Sequence, residues 1–141
     1  MPSITTARDE MFSLLTEAWL NNPLSSGVPI YYQAQKKNRP GSDVSGFVIA
    51  QVLHDTGGSS TIGNRKFIRE GIFRILVYTP AGTGLTLNDN LVTIIEAAII
   101  GKRTPSGVWF GELSTTEVGG EMDMFVTEVR VRFKYTELKE I

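Results

Sequence analysis

The chain contains no cysteine and a single histidine, His54, among its 141 residues. The first absence removes disulfides, thiolate metal sites and cysteine nucleophiles together, and it fits an intracellular protein. The second leaves any zinc site with one imidazole and scattered carboxylates, too few ligands to converge on an ion. Neither sign of charge dominates, since 14 Lys and Arg stand against 15 Asp and Glu for a formal net charge of -1. Such a balance gives no global attraction to nucleic acid or to an anionic membrane. Long hydrophobic runs are missing as well. The richest stretch, Leu91 to Ile100, contains Glu96 and falls well short of the ~18 apolar residues of a membrane span. The start, Met1-Pro2-Ser3-Ile4-Thr5-Thr6-Ala7-Arg8-Asp9, lacks the basic segment and apolar run of a secretory signal, so the expectation is a protein that stays in the cytoplasm.

Apolar and aromatic residues, by contrast, are plentiful: 41% of the chain is hydrophobic, with seven Phe, four Tyr and two Trp. A chain of this length supports one core that buries roughly two thirds of its unfolded surface. The clearest pattern lies in the last third. Phe125, Thr127, Val129, Val131, Phe133 and Tyr135 alternate with Val126, Glu128, Arg130, Arg132 and Lys134. Alternation of that length marks a β-strand with one buried and one wetted face.

Other elements follow from periodicity and punctuation. A helix is expected from about Thr6 to Leu20, with Thr6 and Asp9 as a capping box and Met11, Leu14, Leu15 and Ala18 on its apolar face, flanked by Phe12 and Trp19. Asn21-Asn22-Pro23 ends it, because proline cannot continue the ladder. Val28 to Gln33 and Ser45 to His54 read as strands, the second apolar on both faces and so covered on both. Lys66 to Thr79 reads as the longest strand, roughly 45 Å at ~3.3 Å per residue, with part of it projecting and Gly71 as a candidate bulge. Thr86 and Asp89 suggest a second capping box, opening a helix that buries Leu91, Ile94, Ile95, Ala98 and Ile99 and stops at Gly101. Val108 to Val118 and Met124 to Tyr135 complete a hairpin around Gly119-Gly120. The expected fold is α+β across 1–141 as one domain: an antiparallel or mixed sheet of about five strands, two helices on one face, order α-β-β-β-α-β-β.

Chemical motifs are sparse. Asp55 follows His54 directly and points to the opposite side of an extended chain, which prevents the pair from acting as base and orienter. Gly101-Lys102-Arg103-Thr104 resembles the end of a phosphate-binding loop, but Glu96 stands where glycine is needed, Arg103 where Ser or Thr is needed, and the motif follows a helix where it should precede one. Lys102 and Arg103 are better read as cations at a helix C-terminus. Gly82-Thr83-Gly84 would place the later glycine of a dinucleotide fingerprint on Leu87. The cations of the last strand lack interleaved aromatics, which sit on its other face, so sequence-specific nucleic-acid reading is not expected. No catalytic residue, cofactor or metal is assigned.

Interaction, then, is the reading left. Thr56 to Arg65 is rich in Gly, Ser and Thr and long for a hairpin connection, hence either disordered or ordered only against a partner. Arg65, Lys66 and Arg69 beside it are candidate contacts, as are Lys36, Lys37 and Arg39 in an exposed polar loop.

Four segments in order add a resemblance. Ala7-Arg8-Asp9-Glu10-Met11-Phe12 is the first, and the second runs from Thr56-Gly57-Gly58 through Ile62-Gly63 to Arg65-Lys66-Phe67-Ile68-Arg69-Glu70-Gly71. Tyr78-Thr79-Pro80-Ala81-Gly82-Thr83-Gly84-Leu85 and Gly101-Lys102-Arg103-Thr104-Pro105-Ser106-Gly107-Val108-Trp109-Phe110 follow. Together they resemble the tail terminator-like family of long-tailed bacteriophages and prophages. That resemblance implies a small α/β protein, a hexameric ring on the head-proximal end of the tail tube, a stop to tube polymerisation, and a surface for head-completion or connector proteins. It implies a virion location after assembly in the host cytoplasm. The basic loop at Lys36 to Arg39 has no counterpart in the resemblance. A head-tail adaptor or neck protein without a role in tail length is the alternative of the same size and composition.

Overall fold

The computed structural model describes residues 3–25, 28–32, 46–59, 66–80, 85–121 and 124–138. Helix α1 (Ile4–Leu20) and a 3-10 turn (Pro23–Ser25) are followed by β1 (Ile30–Tyr32), β2 (Phe47–Ser59) and β3 (Lys66–Pro80), then by α2 (Thr86–Ile99), β4 (Trp109–Glu121) and β5 (Met124–Leu138). The five strands form one sheet in the order β1-β2-β3-β5-β4. β1 runs parallel to β2 and every other pair is antiparallel, so the α+β, mixed-sheet expectation holds. No helix among the described residues is long and apolar enough to cross a membrane.

Both helices lie on one face of the sheet. Val48, Ala50 and Val52 of β2, Phe73, Ile75 and Val77 of β3, and Val129, Val131, Phe133 and Tyr135 of β5 point to that side, as the alternation requires. They meet Ala7, Met11, Leu15 and Trp19 of α1 and Leu91, Ile94, Ile95, Ala98 and Ile99 of α2. The face of α2 is the expected one, whereas α1 is rotated slightly: its buried spine runs i, i+4, i+8, i+12 from Ala7, leaving Leu14 and Ala18 only partly buried. Phe12 fills the gap to the sheet with its ring 4.8 Å from that of Tyr32 and 6.0 Å from that of Phe73. The other face carries a smaller cluster, Phe47, Leu76, Tyr78, Met124 and Val126, with Phe47 and Tyr78 stacked at 4.5 Å. The cover expected on both faces of β2 is therefore only partial: on the side away from the helices Phe47 is buried, Ile49 is half-buried and Leu53 is 44% exposed.

Helix ends differ from expectation. The cap of α1 is Ser3, whose hydroxyl accepts from the Thr6 N–H at 3.1 Å, so Thr6 already lies in the first turn and forms no box with Asp9. α2 begins at Thr86 with Leu85 before it and no side-chain cap; Thr86 sits inside the helix, where its hydroxyl cannot reach the orphan amides. A buried relay substitutes by fixing the helix to the sheet: Asn88 donates to Thr79 at 3.2 Å and accepts from Thr127 at 2.6 Å. At its far end Gly101 adopts φ +71, the left-handed stop read from the sequence. The turn beyond is held to α1 by the Glu10 carboxylate, which accepts from the Ser106 N–H at 3.2 Å and from the Ser106 hydroxyl. Burial would raise that carboxyl, but the hydrogen bonds from Ser106 and Thr104 outweigh it and hold it below the usual carboxylate range.

Three further expectations are corrected by pairing. β2 does not end at His54: it continues through Gly57 and Gly58 to Ser59, opposite Phe67, so only 60–65 of the expected loop lies outside the described residues. β3 does not project alone, because β5 accompanies it from Lys66 opposite Leu138 to Pro80 opposite Met124. The β4–β5 turn falls beyond Glu121, not at Gly119-Gly120; Gly119, at φ +94, instead closes a second irregularity of β4. Near Gly71 the register shifts, but the extra residue is Asp55 on β2. Gly71 itself is demanded by proximity. A Cβ there would lie 2.1 Å from the Leu53 carbonyl oxygen and 2.7 Å from the Phe133 ring. Gly71→Ala should therefore cost about 2–4 kcal/mol in urea denaturation, while Gly111→Ala, whose nearest neighbour would be 3.7 Å away, should change stability by less than about 1 kcal/mol. Equal midpoints for the two variants would contradict the close approach.

Candidate assembly surface

Of the six cations singled out in the sequence, Arg69 is the one whose side chain is described. Lys66 opens β3 with its backbone opposite Leu138, and Arg65, Lys36, Lys37 and Arg39 lie outside the described residues. Arg69 points to the helix-covered face, where its Nε donates to Glu137 at 3.1 Å. Glu70, next in sequence, faces the opposite side and meets Arg132 and Lys134 at 3.9 and 4.0 Å. The alternation around Arg69 and Glu70 is as expected, but Arg69 is engaged within its own sheet.

Around Arg69 the fold assembles a polar group that sequence reasoning missed. His54 of β2 shares a 2.7 Å hydrogen bond between Nε2 and the Tyr135 hydroxyl of β5. Arg8 of α1 reaches the Val52 carbonyl oxygen at 3.4 Å. Two buried nitrogens in this group, His54 Nδ1 and Arg8 Nε, have no hydrogen-bond partner among the described residues. Burial lowers the His54 pKa, and the Arg8 and Arg69 cations lower it further. Burial likewise pushes the Tyr135 phenol up to about 12, with Glu137 adding to the effect. The neutral imidazole and neutral phenol are thus the forms that the fold favours. Tyr135 and His54 each read correctly as strand residues; that they meet depends on β2 and β5 both pairing with β3, which no local signal reveals.

Asp55, displaced by the bulge, turns to the other face and accepts from Arg132 at 3.2 Å, so His54 and Asp55 stay apart. That face is a lattice of ion pairs. Glu128, only 12% exposed, takes Arg74 at 2.5 Å and Arg130 at 3.5 Å, and Arg74 also reaches Gln51 at 3.4 Å. The cations of β5 are therefore matched by carboxylates of β2, β3 and β5 itself. Among the described residues no three His, Cys, Asp or Glu side chains gather to hold a metal ion.

The sheet ends on one side at β4, whose outer edge carries a single bridge among the described residues, Trp109 to Arg103. There the Arg103 guanidinium lies 3.9 Å over the Trp109 ring, itself 58% exposed. Beyond that bridge, Gly111 to Val118 present exposed or half-buried side chains along an open edge.

The single histidine offers a direct check. A folded-state pKa below the ordinary 6.5 means that the unfolded chain takes up the proton first as pH falls. The contribution of His54 to stability is then fully present above that value and is lost as pH drops through the folded-state pKa. Nuclear magnetic resonance of the one imidazole should show its midpoint below 6.5, and wild-type melting temperature should fall more than that of His54→Gln between about pH 7 and pH 5. A midpoint at or above the ordinary value would show that the ring is not desolvated.

No protein-family model matches the chain, and no curated protein matches it in sequence. Its fold, however, occurs in solved structures. One superposes over 100% of both chains with a TM-score of 0.71 at 13% identity. Another, a chain of the virion of a native gene transfer agent particle, superposes with a TM-score of 0.60 at 16% identity, covering 96% of this chain and 100% of that one. At these identities the likeness is one of fold.

Proposed function

We propose that this chain is a structural protein of a phage-like virion, a single tail terminator-like domain that assembles as a hexameric ring on the head-proximal end of the tail tube. There it ends tube polymerisation and offers its free face to a head-completion or connector protein. Its partners are further copies of itself, the tube protein and the connector, and its place is the virion, after assembly in the host cytoplasm. No catalytic step or cofactor is part of this reading.

The observation that carries it is the end-to-end fold likeness with a chain of a gene transfer agent virion. The four sequence segments that resemble tail terminators add weight to the same reading, because three of them have their described parts at structural junctions: the β2–β3 end of the sheet, the end of β3 before α2, and the α2–β4 turn. An open sheet edge also suits a protein that works by joining other copies, since head-to-tail contacts close into rings when the rotation allows.

Electron microscopy of particles made without this protein tests the proposal. Tails of uncontrolled, excessive length are the expected result. Tail-less heads beside tails of normal length would overturn it and indicate a joining factor without a role in length.

A further inference from the structure

Between α2 and β4, on the helix-covered side of the sheet, lies an open groove of about 310 Å³. Its floor and walls are Ile99, Ile100, Phe110, Leu113 and Val131, with Glu96 as the one charged side chain. Farther along the same face of β4, Glu117 is exposed opposite Thr127. The groove is thus apolar apart from Glu96, with Glu117 beyond it along the same strand face, and the backbone edge of β4, open past Trp109 among the described residues, forms one side.

The charge pattern of β4 separates it from the rest of the sheet. β4 contains Glu112, Glu117 and Glu121 and no Lys or Arg. On the inner strands nearly every carboxylate meets a cation, as Glu128, Glu137, Asp55 and Glu70 do. Glu96 and Glu117 make no ion pair among the described residues. An apolar floor with a carboxylate rim suits long cationic side chains, whose methylene stems cover apolar surface while the charged heads reach the rim. The chain itself supplies such a run. Lys36-Lys37-Asn38-Arg39 has three cations in four residues and no acid.

We propose that this groove is the contact between copies of the chain: Glu96 and Glu117 of one protomer receive the Lys36, Lys37 and Arg39 run of the next. The contact is heterologous, since groove and basic run are different parts of the chain, so each copy offers one of each and the series can close on itself. Its electrostatics set register and encounter rate more than raw affinity. The inference deepens the ring reading by naming the surface, and it takes from that reading only that the occupant is a second copy.

Charge reversal and its rescue test it. Sedimentation velocity of the full chain should show self-association that weakens with added salt. Glu96→Lys with Glu117→Lys should raise the dissociation constant at least about tenfold, as should Lys36→Glu, Lys37→Glu and Arg39→Glu together. Both sets combined in one chain should restore association. Circular dichroism checks folding, and Glu96→Gln with Glu117→Gln gives the same direction with a smaller change if the reversed form unfolds. A wild-type chain that stays monomeric, unchanged association in the reversed variants, or failure of the combined variant to recover would overturn the inference. So would loss of tube-protein binding with self-association intact, which would assign the groove to the tube. Tail length in particles lacking the protein is a separate readout, so overlong tails there, beside unaffected self-association of the reversed variants, would sink this contact and leave the capping role standing.

Discussion

The double pairing of β3 is the constraint on which the rest of the structure depends. This strand bonds to β5 along its whole length on one side and to β2 along most of it on the other. Only with both ladders in register do Val52, Phe73 and Val131 fall in one row facing the helices, and a slip of one residue would turn each row to the wrong side. Gly71 marks the tightest point of that arrangement, where the Leu53 carbonyl and the Phe133 ring leave no room for a side chain. The bulge at Asp55 opposite follows the same crowding and sends Asp55 to the ionic face while His54 stays under α1.

Two kinds of surface result. Toward the centre of the sheet polar groups are matched within the chain: the Glu128 lattice on one face, and the Arg69–Glu137 and His54–Tyr135 pairs on the other. Pairs of this kind, partly buried, contribute modestly to stability and more to fixing one register. Toward β4 the matching stops. The edge strand leaves carboxylates and an aromatic ring in water beside an apolar groove. A sheet that satisfies itself in the middle and leaves one side open among the described residues suits the proposed assembly role.

Much of the fold was legible because it rests on periodicity. The alternation from Thr127 to Tyr135 and the apolar face from Leu91 to Ile99 are repeated local signals, and both are realised; at the start of β5 the pattern fails, since Val126 of the face expected wet is buried and Phe125 only half-buried. Gly101 was legible for a related reason, since glycine after an apolar helical run marks a left-handed stop. What sequence missed depends on distant partners. Gly57 and Gly58 have poor strand propensity, yet they extend β2 because β3 lies beside them to pair with. Thr6 looked like a cap because Asp9 follows it, but Ser3 was equally able and stands one turn earlier, allowing a longer helix. The candidate cations were found by composition alone; that Arg69 is held by Glu137, 68 positions away, is a consequence of the β3–β5 register.

The central claim is that this sheet, as a ring, stops a growing tube. Polymerisation of the purified tail tube protein with and without this chain, followed by electron microscopy, tests it most directly. The account predicts tubes that shorten as the chain is added, each bearing a ring at one end. Tubes of unchanged length with bare ends at every ratio of the two proteins would contradict it.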